Sequence, residues 1–284
     1  MRIQIFPGQG SQHVGMGTGL FDGAPDELAA ADAVLGWSVR ELCLEDRDRK
    51  LNQTAWTQPA LYVVNALAYL KKVRETGQRP ALVAGHSLGE YNALFAAGAF
   101  DFITGLRLVQ RRAAVMAKAR EGGMAAVIGL SAARVREVLR EAKLDEIDLA
   151  NLNAPEQQVL SGPVESLVQA EAVFTRVGVR GFKRLPVSAA FHSRYMREAR
   201  QEFESFLEEF VLSSPRIPVI SNVEAKPYPP GALKRLLVEQ ITSPVRWEES
   251  VQYLLQQPGP DLEEVGPGRV LTTLVAQIRR KGAS

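Results

Sequence analysis

Short apolar runs alternate with longer amphipathic stretches along this chain, a pattern that predicts strands separated by helices. Arg2 to Phe6 reads as a strand and Pro7 to Gly19 as a glycine-rich loop. Leu28 to Leu44 is mostly helical in pattern. Thr57-Gln58-Pro59 looks like a helix start with proline in the first turn, leading into a helix from Ala60 to Arg74. Ala81 to Ala84 is an apolar strand, Glu90 to Ala97 a helix, and Phe102 to Arg120 a long helix. The stretch 122–188 has its own rhythm. Strands over Met124–Leu130, Ile147–Asn153, Gln158–Gly162 and Phe182–Val187 enclose a Ser131-capped helix to Ala142 and a Pro163-led helix to Val177. That order, β-α-β-β-α-β, is the ferredoxin-like pattern. The rest is again mixed. Helices are expected over Met196–Phe210, Leu233–Ile241, Pro244–Gln256 and Val270–Arg280, with strands at Ile217–Asn222 and Leu262–Val265.

The expected fold class is therefore α/β. A large, mostly parallel, hydrolase-like core (1–121 and 189–284) carries an inserted ferredoxin-like small subdomain (122–188). The 284 residues and 46% hydrophobic content suit a globular protein with a real core. A net charge of +2 does not suggest nucleic-acid binding, and no apolar run reaches membrane-spanning length. The N-terminal apolar run is too short for a signal peptide. One cysteine, Cys43, excludes an internal disulfide, so a cytoplasmic location is expected, and composition suggests a monomer.

The candidate chemistry sits at Gly85-His86-Ser87-Leu88-Gly89, a G-x-S-x-G turn between strand and helix. Flanking glycines permit the sharp turn, and the helix N-terminus points free N–H groups at a developing oxyanion. Ser87 is then a nucleophile for acyl transfer and needs a base. The histidines are His13, His86 and His192. Neighbouring side chains at a strand end point apart, which disfavours His86. His192 falls where the small subdomain hands back to the core, at the lip of a cleft hinged beside Ser87, and is favoured over His13. Its orienting partner can be a backbone carbonyl. On the long helix, Arg111 aligns with Arg107 and Lys118 on a solvated face, whereas Arg112 aligns with Leu108 and Met116 on the buried stripe. A buried arginine needs an anion, either a protein carboxylate or a substrate carboxylate. The loop Gly8 to Gly17 fits neither G-x-G-x-x-G nor a P-loop. A tight turn donating a second N–H to the oxyanion suits it better. No Cys/His cluster suggests a metal.

Phe6-Pro7-Gly8-Gln9-Gly10-Ser11-Gln12 and Gly85-His86-Ser87-Leu88-Gly89-Glu90-Tyr91 together resemble the malonyl-CoA:acyl-carrier-protein transacylase family. The likeness continues through Gln110-Arg111-Arg112, Gly123–Gly129, Asn151–Pro155 and Glu264–Gly268. It implies Ser87 as nucleophile, His192 as base, and Arg112 on the malonyl carboxylate. It also implies the Gln9 and Leu88 N–H groups as oxyanion hole, the Gln240 main-chain carbonyl as the group orienting His192, and Asn151 and Asn153 on coenzyme A or the carrier arm. Met116 and Phe191 would shape the acyl pocket, with Phe191 filling the space a 2-methyl branch needs. The substrate would be malonyl-CoA, the partner an acyl carrier protein, and no cofactor would be permanently bound. Carrier proteins of this class are acidic, and Arg180, Lys183 and Arg184 are candidates to meet one. Val187 to Ser193 most resembles discrete acyltransferases serving polyketide synthases in trans. A housekeeping fatty-acid enzyme and a proofreading thioester hydrolase are the alternatives. An ordinary α/β-hydrolase would place several strands before the serine turn, and only one is expected before Ala81.

Overall fold

Ile3 and Ile5 of β1 (Arg2–Phe6) face one side of a sheet and Phe6 the other, and all three are buried. A strand apolar on both faces belongs in a parallel sheet under helices. In this computed structural model, which describes residues 1–119 and 122–282, that sheet also contains β2 (Leu82–Gly85), β7 (Val219–Ile220) and β8 (Asp261–Glu264). Its order is β7-β2-β1-β8, all parallel, and one strand, β1, precedes the strand that leads into the serine turn. The main core lies on the Phe6 side, with α3 (Thr54–Thr76), α4 (Gly89–Ala96) and α5 (Phe102–Lys118). The Ile3/Ile5 side is covered by α10 (Trp247–Leu255) and α11 (Val270–Gly282).

A second sheet is built from β3 (Gly123–Ile128), β4 (Asp148–Ala154), β5 (Gln157–Gly162) and β6 (Gly181–Arg184). It is antiparallel throughout, in the order β4-β5-β3-β6. Ala125, Val127 and Leu160 pack under α6 (Ala132–Glu141) and α7 (Val164–Val177), with Val135, Leu139 and Phe174. Met124, Ala150 and Val159 join the main core with Phe191 and Met196. Ser131 caps α6 as expected, accepting from Arg134 N. The edge strand β4 is stitched to the other sheet's unit. Val245 N donates to Ala150 O and Leu152 N to Val245 O, both at 2.9 Å. The expected hinge is thus a hydrogen-bonded seam.

Several boundaries differ from expectation for local reasons. The Leu28–Leu44 stretch is two helices, α1 (Pro25–Leu35) and α2 (Val39–Leu44), broken at Gly36 (φ 76°), with Ser38 capping the second. α3 begins a turn early, so Pro59 is its sixth residue and lies past its first turn. β6 stops at Arg184, because Pro186 has no N–H for the ladder. β7 shrinks to two residues between Pro218 and a turn at Ser221. α8 (Arg197–Leu207) and α9 (Leu233–Gln240) lie close to expectation. The face of α5 assigned to solvent is not fully solvated: Arg111 and Lys118 both pair with Glu202 of α8, at 3.4 and 2.6 Å. The expected last residue of that helix, Arg120, and the 121/122 boundary lie outside the described residues.

Candidate active site

The serine turn exists because two chain segments approach more closely than any side chain permits. A Cβ on Gly85 would lie 1.9 Å from the Gly89 carbonyl carbon, and one on Gly89 would lie 2.0 Å from the Phe6 carbonyl oxygen. Between them Ser87 has φ 49°, a left-handed value that costs a non-glycine residue about 1–3 kcal/mol. Asn222 clamps the turn. Its Oδ1 accepts from Ser87 N at 2.6 Å and its Nδ2 donates to Gly85 O at 2.7 Å.

His192, also at positive φ (57°), is 4% exposed. Ser87 Oγ and His192 Nε2 are 2.7 Å apart, and His192 Nδ1 lies 2.8 Å from the Gln240 carbonyl oxygen. A carbonyl can only accept, so Nδ1 carries the proton and the Nε2 lone pair faces the serine hydroxyl. Burial, then the Arg112 cation, pushes the His192 pKa down to about 3, against the backbone hydrogen bonds at Gln240 and Ser243. The imidazole is neutral at pH 7.

Arg112 has no exposed surface. Its Nη1 donates to Gln58 Oε1 at 2.7 Å, and its Nη2 donates to Gln240 Oε1 at 2.8 Å and to Ser87 Oγ at 3.0 Å. Its Cζ sits 5.6 Å from the Tyr91 ring centre. All these acceptors are neutral, and among the described residues Nε has no hydrogen-bond partner. Of the two anions the sequence left open, no protein carboxylate pairs directly with Arg112 among the described residues.

The Gln9 loop packs on the turn, since a Cβ on Gly8 would lie 2.4 Å from His86 O and 3.6 Å from Leu88 N. Among the described residues neither the Gln9 nor the Leu88 backbone N–H has an acceptor. Ser87, His192, Gln9, Met116 and Phe191 line a cavity of about 180 Å³, with Asn151 and Asn153 on its β4 wall. Asn153 Oδ1 accepts from His86 Nε2 at 2.8 Å, so His86, also in the wall, is engaged away from the hydroxyl. His13 Nδ1 is 3.2 Å from Ser11 O and does not line the cavity. Of the basic trio, Arg180 pairs with Glu156 at 2.5 Å and Arg184 with Glu171 at 3.8 Å.

Four residues of the site escape the sequence reading: Gln58, Glu90, Asn222 and Tyr228. Glu90 is fully buried. It accepts from Tyr228 OH (2.6 Å), Asn222 N (3.1 Å) and Gln240 Nε2. Burial pushes its pKa up to about 7, against those hydrogen bonds and the nearby Arg112. The available signal was polarity out of place: Gln58 and Asn65 interrupt an apolar helix, and Glu90 follows the serine turn directly. Among the described residues no group of acidic, cysteine or histidine side chains could hold a metal ion, and no helix is long and apolar enough to cross a membrane.

The family model described as "Acyl transferase domain" matches residues 3–277. Over 282 residues the chain is 53% identical to the polyketide biosynthesis malonyl CoA-acyl carrier protein transacylase BaeC of Bacillus velezensis, covering 99% of this chain and 98% of that protein. It is 44% identical over 273 residues to the malonyl CoA-acyl carrier protein transacylase of Synechocystis, covering 95% and 91%. Among solved structures, the malonyl CoA-acyl carrier protein transacylase from Burkholderia pseudomallei superposes with a TM-score of 0.96 at 50% identity, covering 99% and 98%.

Proposed function

The chain belongs to the acyl transferase domain family, and from that premise we propose that it moves a malonyl group from malonyl-CoA to the phosphopantetheine thiol of an acyl carrier protein. Ser87 Oγ attacks the thioester carbonyl while His192 Nε2 takes its proton. The tetrahedral oxyanion accepts from the Gln9 and Leu88 N–H groups. Collapse breaks the C–S bond, and the leaving coenzyme A sulfur takes the proton from His192. The carrier thiol then attacks the Ser87 ester, gives its proton to His192, and leaves with the malonyl group as Ser87 recovers that proton. Two half-reactions at one serine give ping-pong kinetics.

One observation carries the substrate choice: the buried Arg112 guanidinium, 3.0 Å from Ser87 Oγ, has only neutral acceptors. A carboxylate three atoms from the acyl carbon's ester oxygen is the group that fits it. Phe191 would exclude a 2-methyl branch, and Asn151 and Asn153 would contact the pantetheine arm. Intact-mass analysis after mixing with malonyl-CoA tests this. One malonyl group should appear on wild type, none on Ser87→Ala, and holo carrier protein should remove it. An unlabelled wild-type protein would refute the assignment.

A role in trans for a polyketide synthase is supported by the 53% identity to BaeC across nearly both lengths. Comparing kcat/KM for carriers of polyketide and fatty-acid synthesis tests it; equal use of both, or preference for the latter, would favour the housekeeping role. We read the chain as two units, 1–121 with 189–284 (hydrolase-like) and 122–188 (ferredoxin-like), supported by their separate sheets and by the cluster that the second sheet forms with α6 and α7 alone. We further read it as a cytoplasmic monomer that meets its carrier at Arg180, Lys183 and Arg184. Charge reversal of that trio should raise the KM for carrier protein without changing self-acylation.

A further inference from the structure

Gln240 supports the reacting groups with three of its polar atoms. Its carbonyl oxygen takes His192 Nδ1–H, its Oε1 takes Arg112 Nη2, and its Nε2 donates to Ser87 O at 3.0 Å. The two ends of a carboxamide have nearly the same size and shape. Packing alone therefore does not decide which end faces the guanidinium; hydrogen bonding does. If Nε2 faced Arg112, two donors would meet and the guanidinium would lose an anchor. The second Nε2 hydrogen goes to Glu90 Oε2. Glu90 lies three residues past Ser87, in the first turn of α4, and has no exposed surface. Its other oxygen is fixed by Asn222 N and Tyr228 OH. An ionised carboxylate has acceptors only, so it admits only the amino end of Gln240.

We propose that Glu90 is a positioning residue for malonyl capture: its carboxylate sets the orientation of the Gln240 amide, and through it presents Arg112 to the substrate carboxylate. This rests on the reading of Arg112 given above. The separation is useful chemically. A carboxylate paired directly with Arg112 would compete with malonate for the guanidinium, whereas one held beyond Gln240 supplies order and counter-charge without occupying that place. Protonated Glu90 has an O–H to donate, which lets the amide turn over. The ionisable groups facing it are Tyr228 from the segment after β7, Arg112 from α5 and Tyr91 of its own helix, with His192 on the far side of Gln240. Burial keeps both tyrosines neutral, and His192 charges only at low pH, so Glu90 is the member that titrates near neutrality.

The test is single-turnover loading of malonyl-CoA and acetyl-CoA across pH, on folded protein verified by thermal unfolding. For Glu90→Gln, malonyl loading should fall by about tenfold or more while acetyl loading changes by less than about threefold. The acid limb of malonyl loading near pH 7 should vanish, leaving only the limb of His192 at lower pH. Tyr228→Phe removes a donor to the carboxylate and should move that limb to higher pH. Equal loss of both acyl groups, no loss of either, or an acid limb unmoved in both variants overturns the proposal. If Glu90→Gln does not fold, the limb in Tyr228→Phe decides alone. Arg112→Ala distinguishes the two levels: if it still prefers malonyl over acetyl, the reading of Arg112 fails, whatever Glu90 does.

Discussion

Removing the Arg112 cation should invert the enzyme's acyl preference. In the proposed complex the guanidinium and the malonyl carboxylate form a buried pair, and deleting one partner of such a pair costs about 3–5 kcal/mol. At 1.4 kcal/mol per tenfold, malonyl kcat/KM for self-acylation should fall by roughly two to three and a half orders of magnitude in Arg112→Ala. An acetyl thioester has no carboxylate to lose. It also gains something, because the Arg112 cation is the second largest cause holding the His192 pKa down, and its removal makes the imidazole a stronger base. Acetyl loading should therefore hold or rise while malonyl loading collapses.

The variant carries a structural cost that the assay must separate. Gln58 Oε1 and Gln240 Oε1 lose their donor, at about 1–3 kcal/mol for each buried acceptor left unpaired. Thermal unfolding run beside the kinetics fixes a temperature at which both proteins are folded. Quenched-flow mixing with each acyl-CoA, read by intact mass, then gives the two rates. Malonyl and acetyl loading falling by the same factor, or malonyl loading surviving, would refute the carboxylate-gripping role of Arg112.

Three other outcomes follow from the same geometry. Phe191→Ala should open the cavity and shift the malonyl to methylmalonyl loading ratio toward methylmalonyl by about 10–200-fold, measured by competitive acylation; an unchanged ratio would remove Phe191 from selection. Asn222→Ala unclamps Ser87 N and Gly85 O, so it should lower Tm and slow loading of every acyl group alike, and a malonyl-specific defect would contradict that role. His192 has a folded pKa near 3 against an ordinary 6.5, so between these values the unfolded chain binds a proton the native one refuses. Its contribution is complete above pH 6.5 and is lost as pH falls, by about 1.4 kcal/mol per unit. In urea unfolding, wild type should lose about 2 kcal/mol relative to His192→Ala between pH 7 and 5, and parallel curves would disprove the shift.

What the sequence made legible was set locally. The glycines around Ser87 announce a turn because their spacing is the constraint, and Arg112 announces its burial by falling on the Leu108–Met116 stripe. His192 was found by elimination among three histidines and by its place after β6. The supporting atoms were not legible, because they arrive from far along the chain. Arg112 meets Gln58 and Gln240 across 54 and 128 residues, and Asn222 reaches Ser87 across 135. Nothing in the run Ile217–Asn222 says that the strand ends early so that Asn222 can turn toward the serine. The Glu202 partner of Arg111 was hidden for a related reason: helical periodicity separates the faces of α5, but it does not reveal that α8 packs beside one of them.

Ser87 and His192, both at positive φ, face each other, and the backbone beside each is tied down from a different sheet. Ser87 is fixed from the parallel side, by Asn222 and the close glycines. The segment carrying Phe191 and His192 is fixed from the antiparallel side, where Ser161 Oγ on β5 donates to Phe191 O at 2.8 Å. The guanidinium proposed to grip the acyl carboxylate comes from α5, whereas the ring proposed to exclude its branches rides on a segment tied to β5, the neighbour of the β4 strand that the Val245 bridge joins to the other sheet's unit. A cleft free to open would let the Ser87–His192 distance and the pocket width vary together, blurring both rate and selection. Bonding β4 across that line limits such opening, so in the proposed mechanism the geometry that would activate the hydroxyl also sets the width of the pocket that would choose its acyl group.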